Sequence, residues 1–358
     1  MTMTGIERMQ RILRHKKVDR IAVYEHFWGD TARHWQAGGH LQEGENLVRH
    51  FDFDMDESWA FNLVADLDFE RKEIAQTAET ITYLDGNGAV LRWKKHSDGT
   101  PEHVDFTVKE QKDWMNIREQ LQPEPRRINF EGYRNAKARC AAENRFFCWS
   151  GVNVFECMHP VCGHENLLVG MALEPDWVRD MAKVYADLTI QLMETLFAEC
   201  GKPDGIWFYE DMGYKGAPFM SSAMYRELIQ PAHIRTIDFV HGLGLPVIMH
   251  SCGFVEPLLP GMVEAGIDAL QAMEIKAGMD PLRIHKQFGE KLALMGGIDI
   301  RKLCTNDSAA IDAELNAKLP QLKQGFGYIL HSDHSVPKTV DYETYRYFLA
   351  RGLELGTY

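Results

Sequence analysis

No uninterrupted apolar run in these 358 residues approaches the ~18 needed to span a bilayer, and no apolar leader opens the chain. A membrane or secretory role therefore loses its support, and a cytoplasmic location is expected. The seven cysteines are odd in number and are read as free thiols, with Cys140, Cys148, Cys200 and Cys304 as packing or surface residues. No block of Lys or Arg occurs, and 52 acidic residues against 39 basic ones leave a net charge of −13. A nucleic-acid partner is excluded on that balance. No GxGxxG follows an early strand and no GxxxxGK[ST] occurs, which argues against dinucleotide and P-loop chemistry. Repeats and low-complexity tracts are missing as well.

What is present is a regular alternation of short apolar runs and amphipathic stretches. Thr4-Gly-Ile-Glu7 has the form of a capping box, followed by Ile6, Met9, Ile12 and Leu13 on one helical face, so the chain opens with a helical region. Ile21–Tyr24 reads as a buried strand, and another lies near Phe51–Trp59. Two alternating runs around Asp85-Gly-Asn-Gly88 predict a β-hairpin inserted at about residues 72–95. Residues 101–144 are polar and mixed, and read as helices and connections. From Phe146 onward the pattern becomes strict, and strands are expected near residues 21, 55, 150, 207, 248, 270, 294 and 329. Strands alternating with helices imply parallel βαβ units, and eight of them imply one (β/α)8 (TIM) barrel over residues 1–358. An open doubly wound sheet is the weaker alternative.

In such a barrel, polar residues at the C-terminal strand ends gather round one mouth. Four strand ends carry them. His250 and Cys252, two apart in an extended segment, point to one side, and a thiolate with an imidazole suits Zn²⁺. The last strand ends in His331-Ser-Asp-His334, fit for metal ligation, a proton relay or substrate contact. Glu210 and Asp211 end the fourth strand, where paired acids can ligate metal or act as acid and base. Gly296-Gly-Ile-Asp299 permits close approach of a ligand, with Asp299 as a contact or a cap. His26, Phe27, Trp28 and Trp35 follow the first strand and could line the mouth, although packing is the plainer reading. Cys157, His159, Cys162 and His164 form a rival metal cluster whose spacing matches no zinc-finger pattern.

The segments His250-Ser-Cys-Gly253, Gly296-Gly-Ile-Asp299 and Gly325-Phe-Gly-Tyr-Ile329 resemble the uroporphyrinogen-decarboxylase superfamily, as do Glu7-Arg8-Met9, Asp19–Val23 and Gly163–Leu168. The resemblance implies a single (β/α)8 barrel and, by analogy, a homodimer. It divides between the decarboxylase and corrinoid-linked methyltransferases. The decarboxylase's arginine-bearing N-terminal segment is matched here by Glu25–Trp35, with one arginine and two acids, a poor seat for a polycarboxylate. The methyltransferase branch is similar at His250 and Cys252, which there ligate zinc, with a third cysteine ligand where this chain has His334. The resemblance thus implies a zinc-dependent methyltransferase exchanging a methyl group between a small molecule and a corrinoid on a partner protein. His250, Cys252 and His334 would hold zinc, with Glu210 and Asp211 as acid and base; His26, Phe27, Trp28, Trp35, Asp299 and His331 would contact substrate. A metal-free decarboxylase or lyase, and a non-catalytic tetrapyrrole- or corrinoid-binding protein, are the alternatives.

Overall fold

The structure, a computed structural model, describes residues 2–96 and 99–358. Eight parallel strands form its centre: β1 (Ala22–Val23), β2 (Met55–Trp59), β3 (Phe146–Val152), β4 (Gly205–Tyr209), β5 (Val247–Ser251), β6 (Ala269–Ala272), β7 (Ala293–Gly296) and β8 (Tyr328–Leu330). Their order in the sheet is β1-β8-β7-β6-β5-β4-β3-β2, with every pairing parallel. The ring closes where the Asp54 amide donates to the Val23 carbonyl at 3.0 Å, joining the start of β2 to β1. This is a (β/α)8 barrel, and each of the eight strands stands where the sequence predicts one. Strands buried on both faces read as continuous apolar runs, which is why Met249, Leu270, Leu294 and Ile329 are all core residues.

The N-terminal helix α1 (Gly5–Ile12) carries the expected capping box: the Glu7 amide donates to Thr4 Oγ1 at 3.1 Å, and the Thr4 amide donates back to Glu7 Oε2 at 3.0 Å. Helix α2 (Val154–Leu173) comes directly after β3, and α3 (Pro175–Cys200) comes after α2. Among the described residues, no helix is long and apolar enough to cross a membrane.

The inserted segment is larger than a hairpin. Thr80–Leu84 pairs with Ala89–Lys94 around the Gly/Asn turn, but Lys72–Gln76 adds on one side and Glu102–Phe106 on the other, giving a four-stranded antiparallel sheet. The outer strand lies in the stretch read as helical or irregular. Its residues are mostly exposed, so no apolar alternation advertises it; backbone pairing with Ala89–Arg92 alone makes it a strand. Gly99 and Thr100, just before that strand, reach the barrel mouth.

Candidate active site at the barrel mouth

A cavity of about 650 Å³ opens at the C-terminal ends of the strands. His250 is the penultimate residue of β5, and Cys252, two residues on, lies on the same side. The His250 Nε2 is 3.2 Å from Cys252 Sγ and 3.1 Å from Asp211 Oδ1, while its Nδ1 faces Gln271 Oε1 on β6. Asp211, just past β4, also accepts from the Cys252 amide at 2.8 Å. One ligand atom from each of Asp211, His250 and Cys252 lies within 4.8 Å of the other two. Ligand-to-ligand edges around tetrahedral zinc are roughly 3.3–3.8 Å, so this nitrogen, sulfur and oxygen set fits a borderline divalent ion with little adjustment.

The electrostatics point the same way. Burial alone would strip the proton from His250, but its attraction to Asp211 and Cys252 outweighs this and pushes its pKa well above the usual imidazole range, while burial pushes the Cys252 thiol up. Burial opposes ionisation of Asp211, and the neighbouring His250 charge overcomes it, holding this carboxyl low. A buried cation is thus favoured beside the Asp211 carboxylate, and a metal ion binding here would displace the proton of the Cys252 thiol.

His334 does not belong to this cluster. Asp211 takes the third position instead, and strand order explains why. β4 adjoins β5, whereas β8 lies three strand spacings, roughly 14 Å of sheet, away. His334 lines the same cavity beside Trp28, their ring centroids 5.9 Å apart.

Four other expectations are corrected. Glu210 is fully buried and turned away from the mouth: it accepts from the Phe155 amide at 2.8 Å and the Glu156 amide at 3.0 Å, and meets His233 Nε2 at 2.5 Å. It caps the first turn of α2, where a carboxylate is stabilised by unpaired amides, so it is no acid or base at the mouth. Asp299 caps the short helix Ile300–Leu303 and pairs with Arg301 at 2.7 Å. Trp35 is 1% exposed with its indole N–H on the Val340 carbonyl, and Phe27 packs among Trp35, Phe51, Phe53 and Tyr345. Both are core. Of the aromatic residues after β1, His26 and Trp28 line the cavity.

Beside the cluster, Tyr209 on β4 sets its ring 4.9 Å from that of His250; its hydroxyl lies 3.1 Å from His26 Nε2 and donates to Glu57 Oε2 at 3.2 Å, and His26 Nε2 lies 3.0 Å from Glu57 Oε1. Burial works against charge on Glu57, but hydrogen bonding and attraction from His26 prevail and lower its pKa. Trp59 packs its ring, tilted by 43°, 4.7 Å from that of Tyr209 at the rim. Glu57, Trp59 and Tyr209 were missed by sequence reasoning; β2 carries Asp56-Glu57, of which Asp56 pairs with Arg139 at 2.8 Å while Glu57, on the other side of the strand, lines the cavity.

His331 sits beneath the cavity floor, 1% exposed, with Nδ1 on the Ser332 carbonyl at 2.5 Å and Nε2 3.2 Å from His26 Nδ1. Under it lies Glu25, whose pKa burial pushes up to about 8 against the pull of hydrogen bonds from Ser332 and the His26 amide. The folded state therefore holds a proton that an unfolded chain releases near the ordinary 4.5. Its contribution to stability is full below about pH 4.5 and is lost as pH rises through about 8. Glu25→Gln should flatten the loss of stability over that window, raising Tm relative to the parent at pH 8.5 but not at pH 4.5. Parallel Tm-against-pH curves would contradict this.

A uroporphyrinogen decarboxylase (URO-D) sequence profile matches residues 148–352, more than half of the chain. The chain belongs to this family. Within the URO-D family, a uroporphyrinogen decarboxylase of Arthrobacter sp. (strain FB24) is 28% identical over 119 residues, about a third of this chain and a third of the relative's own length. A methyltransferase from Methanosarcina mazei has the same fold, with a TM-score of 0.66 at 13% identity and 98% of both chains covered. Asp211, His250, Cys252 and His334 all lie inside the URO-D match; His26, Glu57 and Trp59 precede it.

Gln271 is the residue of this URO-D barrel that orients the His250 imidazole. By accepting from His250 Nδ1, its amide oxygen leaves Nε2 facing Cys252 and Asp211. Gln271→Leu keeps the volume and removes the acceptor, so zinc affinity should fall about 10–100-fold, as read by competition with a chromophoric chelator. Unchanged affinity would remove Gln271 from the site.

Proposed function

We propose that this protein is a zinc-dependent methyltransferase that exchanges a methyl group between a small molecule and a corrinoid carried on a partner protein. The observation carrying this reading is the convergence of Asp211, His250 and Cys252 at the barrel mouth. These three would hold the ion at the wall of the cavity they line. Zinc there would supply a Lewis acid that lowers the pKa of a thiol or water or polarises an oxygen at neutral pH.

The chain's own groups divide the remaining work. Gln271 orients His250, and the Cys252 amide on Asp211 holds that carboxylate against the ligand pair. Next to His250, Tyr209 is poised with His26 and Glu57 to bind the polar end of the small molecule and to pass a proton. Trp28 and Trp59 offer apolar faces at the rim, where a methyl group or a flat macrocycle can rest. No Lys or Arg is among the described residues lining the cavity, which disfavours a polycarboxylate porphyrinogen as substrate.

The test uses zinc-loaded protein with reduced cobalamin and a panel of methoxy compounds, methylamines and methylated thiols. Methylcobalamin should appear by absorbance with one substrate class, and the reverse reaction should consume it. Metal-free protein that releases CO₂ from a carboxylic acid would replace this reading with a lyase. Cobalamin binding without methyl exchange would leave only a binding role.

A further inference from the structure

We propose that His103, His159 and His164 form a second transition-metal site, separate from the mouth, which pins the inserted sheet onto α2. One ring nitrogen from each histidine lies within 4.8 Å of the other two. The sequence places His159 and His164 five residues apart, which on a straight helix puts them about 140° apart around the axis. α2 is not straight. Pro160 lies inside it and Gly163 leaves helical geometry at φ 77° and ψ 156°, so the two rings stack with centroids 4.1 Å apart.

Gly163 also admits the third ligand. A Cβ there would come within 2.4 Å of the Phe106 ring, so only glycine lets the outer strand of the sheet lie this close. That strand carries His103 to ring-centroid distances of 5.9 Å from His159 and 6.1 Å from His164. The compact motif of the sequence is thus resolved differently from its spacing. Cys157 and Cys162 are buried thiols outside the cluster, Cys162 donating to the Met158 carbonyl at 3.4 Å, and a histidine from 56 residues upstream of His159 replaces them.

A second observation points to a ligand. His159 is 8% exposed, and its Nε2 meets Glu156 Oε2 at 3.0 Å while its Nδ1 is buried with no hydrogen-bond partner. An imidazole oriented by a carboxylate through one nitrogen, with the other left vacant, is the arrangement of a metal-ligating histidine. Burial lowers the pKa of His159 and of His164 to about 4, and that of His103 falls too. All three are neutral at pH 7 and free to coordinate. Three imidazole nitrogens without a carboxylate among them suit Zn²⁺, Co²⁺, Ni²⁺ or Cu²⁺ rather than Mg²⁺ or Ca²⁺, which take oxygen ligands. Since Gly99 and Thr100 lead into the strand that bears His103, an ion here fixes one edge of the barrel mouth.

The experiment removes the mouth ligands first, with Cys252→Ser and His250→Gln together. After equilibration with zinc and desalting, that protein should retain about one zinc per chain, and zinc should raise its Tm. Adding His103→Gln, on a half-exposed strand, should abolish both effects and leave the metal-free Tm unchanged. His164→Gln should do the same to zinc retention. Absence of zinc in the mouth-deficient protein, or retention undiminished by both histidine substitutions, overturns the proposal. His103→Gln alone should leave zinc at the mouth, so this site and the methyltransferase reading fail independently.

Discussion

Cys252→Ser is expected to cost one zinc per chain and to lower methyl transfer to cobalamin by at least about 100-fold, more than the loss of an outer partner of a metal ligand. The substitution removes a soft donor at the centre of the cluster: Cys252 Sγ lies 3.2 Å from His250 Nε2, and its amide also binds Asp211. Serine keeps that amide contact and nearly the same volume, so the fold should persist with an unchanged thermal transition. What changes is chemistry alone. A hydroxyl stays protonated at neutral pH and binds zinc poorly beside one imidazole and one carboxylate. Zinc content by mass spectrometry and methylcobalamin formation by absorbance are the two readouts. Full activity in the serine variant would end the proposal that the thiol holds a catalytic ion.

Asp54→Ala should destabilise the barrel by about 3–5 kcal/mol, the range for breaking one side of a buried charge network. For a chain of this size that is a fall in Tm of about 4–7 °C. Arg8 is 2% exposed and Asp54 4%. Arg8 binds Asp19 through Nε at 2.8 Å and Nη2 at 2.9 Å, and turns its Nη1 to Asp54 Oδ1. Arg20 Nη1 reaches Asp54 Oδ2 at 2.7 Å, and the same oxygen accepts from the Val23 amide at 2.8 Å. One carboxylate therefore ties α1, β1 and β2 together where the ring of strands closes. Alanine leaves a buried guanidinium partly unpaired and a strand amide without its acceptor, and neither can reach water. A Tm within about 2 °C of the parent would show that the closure does not depend on this network.

The barrel was legible in the sequence because its signals are local. Each apolar run of four to seven residues, as at Ala269–Ala272 or Phe146–Val152, is its own evidence of a strand buried on both faces. Aspartate and proline, as at Asp280 and Pro281, mark the start of a helix, and the Asp280 side chain does accept from the Leu282 and Arg283 amides. The outer strand Glu102–Phe106 left no such trace, since its exposed residues gain little from either conformation until a neighbour pairs with them.

The candidate site was legible only in part, and the division tracks sequence distance. His250 and Cys252 lie two apart on one strand, so backbone geometry alone puts them on one side. Which third donor joins them depends on ring order, a property of the closed sheet: Asp211 arrives from the adjoining strand, while His334 stays across the mouth. Glu210 and Asp211 are neighbours in the chain, yet one caps α2 and the other faces the cavity, because successive residues at a strand end point oppositely. Likewise the pairing of His103 with His159 and His164 needed both a kink and a docked sheet. Patterns within one strand or one helix turn are set by the chain's own stereochemistry. Meetings between elements are set by packing, and only the folded barrel decides them.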